Sequence, residues 1–167
     1  MVIVLLLGLL FVGCQKEEEK MILSSFLEKK EMLYQYSDKL LEDATTISLE
    51  GDGASSEMDS EVSKIMNDIK GYMDEETFQR LISNRMIIES DMVSGKVDKG
   101  KIKDLTIKEV SGTDEEKTFQ LTYVENLYSK DQLLKTKERS SEFTLKKDDG
   151  NQWEIQNIID NNNNDKK

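Results

Sequence analysis

The chain has 167 residues, a formal net charge of −11, and neither histidine nor proline. The charge argues against a nucleic-acid partner, because phosphate contacts require a surplus of lysine and arginine. The lack of histidine removes the imidazole base and metal ligand, and the single cysteine rules out an internal disulfide. We therefore predict a protein that is not an enzyme and that folds without a metal or cofactor.

The first element is an apolar run from Val2 to Val12, which is followed by Gly13 and Cys14. The run is shorter than the roughly 20 apolar residues that a membrane-spanning helix requires. Its length fits the apolar part of a secretory signal, which ends at small residues. A second interpretation stays open, namely an uncleaved hydrophobic helix in which Cys14 is buried and inert.

The segment Phe11-Val12-Gly13-Cys14 resembles the lipobox of bacterial lipoproteins. In that family the cysteine receives a diacylglyceryl group, and the signal peptide is cut just before it. The resemblance implies a signal peptide over residues 1–13, lipidation at Cys14 and attachment to the outer face of the cell membrane. Two acyl chains give stable anchoring, whereas one gives only marginal binding. The lysine-rich, alanine-poor composition is typical of AT-rich coding, which favours a Gram-positive source.

Residues 14–20 are predicted to form a lipid-bearing, charged and solvated spacer. From about Glu18 to Leu41 the pattern is helical, and its wide apolar face predicts a helix covered by more than one neighbour. The residues of that face are Ile22, Leu23, Phe26, Leu27, Leu33, Tyr34, Tyr36, Leu40 and Leu41.

Between Glu42 and Ser55 the helical pattern lapses. Turn residues stand at 51–53, and residues 45–49 are predicted to be a short extended piece. Three nearby acidic residues, Asp52, Glu57 and Asp59, lack the spacing of a calcium-binding loop, so we interpret this segment as a solvated acidic loop.

Two shorter helices follow. Ser56 is predicted to cap the first, which ends at Gly71, and Asp74 opens the second, which ends near Arg85. The apolar faces of these helices comprise Met58, Val62, Ile65, Met66, Ile69, Tyr72, Met73, Phe78, Leu81 and Ile82.

After a linker over residues 90–101 the period changes to two, which indicates strands. The alternating apolar residues are Leu105, Ile107, Phe119, Leu121, Tyr123, Phe143, Leu145, Trp153 and Ile155. Turn signals lie at 111–114 and 148–151, and the polar connection at 129–131 is a third candidate turn. The polar tail over residues 160–167 is predicted to be disordered.

The prediction is thus a single α+β domain over residues 21–159, with two to three N-terminal helices packed on a C-terminal antiparallel sheet of about four strands. This layout resembles the cystatin-like, or nuclear-transport-factor-like, cone fold of small Gram-positive lipoproteins, some of them on conjugative elements. The resemblance implies a binding or scaffold role, although fold does not fix function.

No catalytic residue is predicted. Glu109, Glu125 and Glu154 are expected to face water from the strands, and Tyr72 and Tyr123 are expected to lie in the core. Two functions stay open. One is an extracytoplasmic module that binds a protein partner, and the other is a small-ligand or peptide binder with a cavity lined by adaptable methionines, namely Met58, Met66 and Met73.

Overall fold

The computed structural model describes residues 3–43 and 60–161. The short extended piece predicted at 45–49, the turn at 51–53, and the predicted contributions of Ser56 and Met58 lie outside the described residues.

The first helix, α1, runs from Ile3 to Met32 and continues through a 3₁₀ turn, Leu33–Tyr36, into α2, Ser37–Asp43. The prediction of one helix that begins near Glu18 was therefore wrong at its start. The charged spacer continues the helix because it is built from glutamine, lysine and glutamate, which are good helix formers. The spacer is not solvated throughout, since Glu19 is only 1% exposed.

Two further helices, α3 over Ser60–Lys70 and α4 over Glu75–Ser83, confirm the sequence pattern. Helix α3 ends immediately before Gly71, as predicted. Asp74 caps α4, because its carboxylate accepts a hydrogen bond from the backbone N–H of Thr77 at 2.6 Å. The predicted apolar residues of both helices that the structure describes are buried or half-buried.

The connection between α4 and the sheet is packed against the core. The sequence indicated a linker over residues 90–101. Within it, Met92 is fully buried and Val97 nearly so, and the first strand already begins at Lys99. Ile87, just before this stretch, is fully buried too. The apolar residues of this segment follow neither the helical nor the strand period, which is why the pattern did not reveal their burial.

Four strands form one antiparallel sheet in the order β1-β2-β3-β4. Their bounds are β1 Lys99–Gly112, β2 Glu116–Ser129, β3 Gln132–Lys147 and β4 Trp153–Asp160. All three predicted turns are present. Lys130 and Asp131 adopt positive φ angles of 49° and 62° in a two-residue turn. Strand β4 includes Asp160, one residue beyond the predicted end of the domain.

Helix α1 lies across one face of the sheet, and the α+β layout is the predicted one. The rings of Phe26 and Phe143 meet edge to face, with centroids 5.7 Å apart. Near the end of the helix, Tyr34 packs against Gly100, where an added Cβ would lie 2.5 Å from the tyrosine ring. The strand residues predicted to be apolar are buried, except Leu105 and Ile107, which are half-buried.

Candidate functional site

A cleft of about 960 Å³ opens between α1, the segment over residues 84–91 and strand β3. Its floor is apolar and includes Phe26 and Phe143, whereas its walls are largely polar and charged. The charged residues around it are Lys30, Arg85, Glu89, Asp91, Asp104, Lys135, Lys137, Glu138, Arg139 and Asp160.

Arg139 of β3 is the centre of a buried ionic network at this cleft. Its guanidinium donates from Nε and Nη2 to one carboxylate oxygen of Glu125, at 2.9 and 2.6 Å. The other oxygen of Glu125 accepts a hydrogen bond from the Tyr34 hydroxyl at 3.0 Å. Both charged side chains are well buried, 10% and 6% exposed. The contacts therefore join the 3₁₀ turn that follows α1 to strands β2 and β3.

Glu89 extends the network to the segment between α4 and β1. One of its oxygens accepts from Lys30 Nζ at 2.6 Å, and the other accepts from Arg139 Nη2. Lys137 lies 3.8 Å from Glu89 and forms an ion pair with Asp91. Positive and negative groups thus alternate through the network, so each buried charge has an opposite partner.

The charged groups of the network shift one another's pKa values toward the ionised form. Burial alone would raise the pKa of Glu89, but Lys30 and Arg139 hold it at about 2. Burial would lower the pKa of Lys30, and the nearby Glu89 carboxylate raises it above the ordinary lysine value. Burial raises the pKa of Tyr34, and the Glu125 carboxylate raises it further. These residues keep one protonation state across the neutral pH range.

This electrostatic arrangement fits a structural ion cluster. A general acid or base works best with a pKa near the working pH, and Glu89, Lys30 and Tyr34 are all shifted away from it. The carboxylates are saturated by cations, and within residues 18–40 and 61–161 no group of acidic residues is arranged to hold a metal ion.

Glu125 is the clear error of the sequence interpretation. We expected it to face water, but it is only 5% exposed. It shares the inward side of β2 with Leu121 and Tyr123, since alternate residues of a strand point to the same face. The burial is tolerated because Arg139 neutralises the charge. Glu109 is exposed and Glu154 half-buried.

The other residues singled out from the sequence are placed as follows. Tyr123 is 7% exposed and borders the cleft, whereas Tyr72 is half-buried beside the core. Met66 and Met73 are buried in the core and do not line the cleft. Cys14 lies within α1.

Sequence analysis missed five members of the network, namely Arg139, Lys30, Glu89, Lys137 and Asp91. Arg139 had a detectable signal, because it lies in phase with the buried Phe143 on β3, as Glu125 does with Leu121 on β2. Two opposite charges on the inward side of neighbouring strands predict a buried pair. Lys30 and Glu89 gave no comparable signal, since their contact joins residues far apart in the sequence.

A second buried ion pair lies near the middle of α1. Lys117 Nζ contacts Glu19 Oε1, and the ammonium of Lys117 stands 4.9 Å from the centre of the Trp153 ring. Lys147 also approaches this ring, at 5.2 Å. These contacts fix the middle of α1, at Glu19, to the end of the sheet at which β2 and β4 begin.

The chain matches no protein-family model, and no curated protein resembles it at a significant level. In the described part of the chain, no helix has a stretch long and apolar enough to cross a membrane.

Proposed function

We propose that the protein is a lipoprotein, attached to the outer face of the cell membrane through lipid on Cys14, that serves as a non-catalytic module for binding another protein. The sequence support is the apolar run that ends at Gly13-Cys14. The structural observation that carries the proposal is that Glu19, five residues after this cysteine in the same helix, is buried against the sheet.

This proximity gives the proposed anchor a mechanical role. At 1.5 Å per residue, the helical stretch from Cys14 to Glu19 spans roughly 8 Å. Because both residues belong to α1, a lipid on Cys14 would hold the Glu19 end of the domain next to the membrane. The Tyr34 end, with the turn between β2 and β3, would then face away from the membrane.

The sheet offers the binding surface. Its side opposite the helices carries a polar row of mixed charge: Thr106, Lys108, Gln120, Thr122, Thr144, Lys146, Glu154 and Gln156. Each of these residues is exposed or half-buried. A surface of this composition suits a transient protein partner better than an obligate one, whose interface is more apolar.

The second candidate function is a small-ligand or peptide binder of the cleft. Its volume, about 960 Å³, favours this role, and we had expected such a pocket to be apolar. Because its charged walls are engaged in ion pairs, an apolar small molecule would find few contacts beyond the floor. An extended polypeptide, which brings its own polar backbone, fits these walls better.

The test is complementation of a gene deletion in a bacterial host. Wild-type protein should fractionate with membranes and restore whatever phenotype the deletion causes. Cys14→Ser should leave the membrane fraction and fail to complement, although the domain stays folded. A soluble Cys14→Ser protein that complements fully would contradict the need for an anchor. A Cys14→Ser protein that remains with membranes would contradict lipid attachment at this residue.

A further inference from the structure

Strand β3 is longer than its neighbour β4, so part of its edge is left without a β-partner. The ladder between β3 and β4 reaches only from Lys147 to Ser141, which faces Asp160. Beyond it, the N–H of Asn161 donates to the carbonyl of Ser140 at 2.8 Å. From Lys135 to Ser140, β3 remains paired with β2 on its other side.

The direction of the free backbone groups follows from the Ser140 contact. In an antiparallel strand, the N–H and C=O of alternate residues point to the same edge. Because the Ser140 carbonyl points to the β4 side, the backbone groups of Glu138 and Thr136 point that way too. Neither residue has a backbone partner at this edge within the described part of the chain. This edge offers two donors and two acceptors.

Side chains on both sides of the edge favour a particular kind of strand. The inward row consists of Lys135, Lys137 and Arg139. Lys137 and Arg139 are already paired with acidic residues of the network, whereas Lys135 is exposed and has no ion-pair partner among the described residues. The outward row ends in Leu134, which with Leu133 is more than half exposed. The cleft runs alongside this edge.

We propose that the free edge of β3, over residues 134–139, captures an extended acidic segment of a partner protein as an added strand. A carboxylate of that segment pairs with Lys135, and its backbone pairs with Thr136 and Glu138. This inference rests on the proposed function and adds a strand-edge contact beside the polar side of the sheet. The edge lies toward the Tyr34 end of the domain, away from the proposed anchor.

A second copy of the chain is a poor occupant. A symmetric antiparallel pair centred on Thr136 places Lys135 opposite Lys137 of the other copy. A pair centred on Lys137 places this lysine opposite Lys137 of the other copy. A pair centred on Glu138 places Lys137 opposite Arg139 of the other copy. Each register sets cation against cation, which is a common protection of strand edges against self-association. An acidic strand converts the same contacts into attractive ones.

Backbone pairing is tested with a defined probe on the full-length protein in detergent. The probe is a short capped peptide that alternates valine with glutamate. We expect it to bind and to slow hydrogen exchange of the Thr136 and Glu138 amides by at least about tenfold. Methylation of the peptide nitrogens that face β3 should abolish binding, whereas methylation of the opposite edge should not. Equal binding of both methylated peptides would overturn the proposal.

A matched pair of variants tests the site itself. Glu138→Pro removes the N–H at the free edge and keeps the ladder with β2, since proline is tolerated where the N–H faces solvent. Glu138→Thr keeps that N–H. Peptide affinity should fall at least about tenfold in the first variant and stay near wild type in the second. Unchanged affinity in a folded Glu138→Pro protein would overturn the proposal.

A further variant tests whether the edge prefers an acidic peptide. Lys135→Glu should weaken binding of the valine–glutamate peptide and favour a valine–lysine peptide. Two other results would assign the edge to a different occupant and overturn the proposal. One is at least about tenfold tighter binding by a chain that ends at Asn161, and the other is a dimer that Glu138→Pro dissociates.

The same variants separate this inference from the proposed function. Glu138→Pro should remain with membranes yet fail to complement the deletion, whereas Glu138→Thr should complement. Full complementation by Glu138→Pro would contradict the edge as the working surface. The anchoring result for Cys14→Ser would be unaffected by that outcome.

Discussion

Arg139 and Glu125, from neighbouring strands, meet through two hydrogen bonds to a single carboxylate oxygen, at 2.9 and 2.6 Å. The second oxygen of Glu125 accepts a hydrogen bond from the Tyr34 hydroxyl. One buried carboxylate thus joins the 3₁₀ turn after α1, strand β2 and strand β3. This relationship sets the position of the helix on the sheet and explains why a charge is tolerated in the core.

The first prediction concerns the stability of this pair. Glu125→Ala should lower the free energy of unfolding by about 3–5 kcal/mol, because it leaves the Arg139 charge buried without its main partner. Glu109→Ala, at an exposed side chain of β1, should change it by less than about 0.5 kcal/mol. Urea denaturation at neutral pH measures both.

The double variant Glu125→Leu with Arg139→Met is the control for the first prediction. Apolar residues of similar volume remove both charges, so stability should largely recover. The single variants Glu125→Leu and Arg139→Met provide the comparison. If the double variant loses as much stability as these two variants lose in sum, the two residues are not coupled, and the central position of the pair is contradicted.

The second prediction is the acid dependence of stability. Burial opposes ionisation of Glu89, but Lys30 and Arg139 hold its pKa at about 2, below the ordinary glutamate value. A carboxylate whose pKa is lower in the folded than in the unfolded protein stabilises the fold at pH values above its unfolded pKa, which is about 4.3 for glutamate. That contribution is lost as the pH falls toward about 2. The full contribution is roughly 3 kcal/mol.

Urea midpoints between pH 7 and pH 2 measure this dependence. Glu89→Gln should be less stable at pH 7, and its stability should fall less steeply below about pH 4.5. The capping carboxylate Asp74 also has a lowered pKa, chiefly through its hydrogen bond from the Thr77 N–H. Its contribution remains in both proteins, so the difference between them isolates Glu89. Parallel curves would contradict the ion-pair account.

The third prediction concerns the close packing of Tyr34 on β1. Gly100→Ala should lower the free energy of unfolding by about 1–3 kcal/mol, because the added methyl group would lie 2.5 Å from the ring. Lys101→Ala is the matched control, since that neighbouring side chain is exposed. Thermal unfolding measures both. If Gly100→Ala has the same melting temperature as the wild type, the helix end does not approach β1 this closely.

The layout of the fold was predictable where the hydrophobic period was regular. The two-residue alternation around Phe119 and Phe143 predicted the sheet and its inward side, and Gly71 and Asp74 predicted helix bounds. The start of α1 was not predictable in the same way, because the charged spacer has the composition of both a solvated linker and a helix.

Only part of the ionic network could have been predicted from the sequence. Glu125 and Arg139 share the phase of buried neighbours, and a strict application of that phase would have predicted their pairing. Glu89 lies in a segment without a period, so its approach to Lys30 depends on tertiary packing alone. The free edge of β3 was also hidden, since it depends on the relative lengths and register of two strands.

The fourth prediction concerns the polar side of the sheet. Lys108→Glu, Lys146→Glu and Glu154→Lys together should leave the melting temperature nearly unchanged, since substitutions away from buried features cost less than about 0.5 kcal/mol each. The combined charge change should nonetheless impair complementation of the deletion. Full complementation by the folded, membrane-attached triple variant would exclude this side as a binding surface and leave the β3 edge as the candidate.

The central claim is that lipid on Cys14 holds the protein at the membrane. The most direct measurement is metabolic labelling of bacterial cells with an alkyne fatty acid, followed by mass spectrometry of the purified protein. We predict a label on the wild type, a mass that corresponds to loss of residues 1–13 and gain of a diacylglyceryl group, and no label on Cys14→Ser. A labelled Cys14→Ser protein, or an unlabelled wild type that retains residues 1–13, would contradict the account.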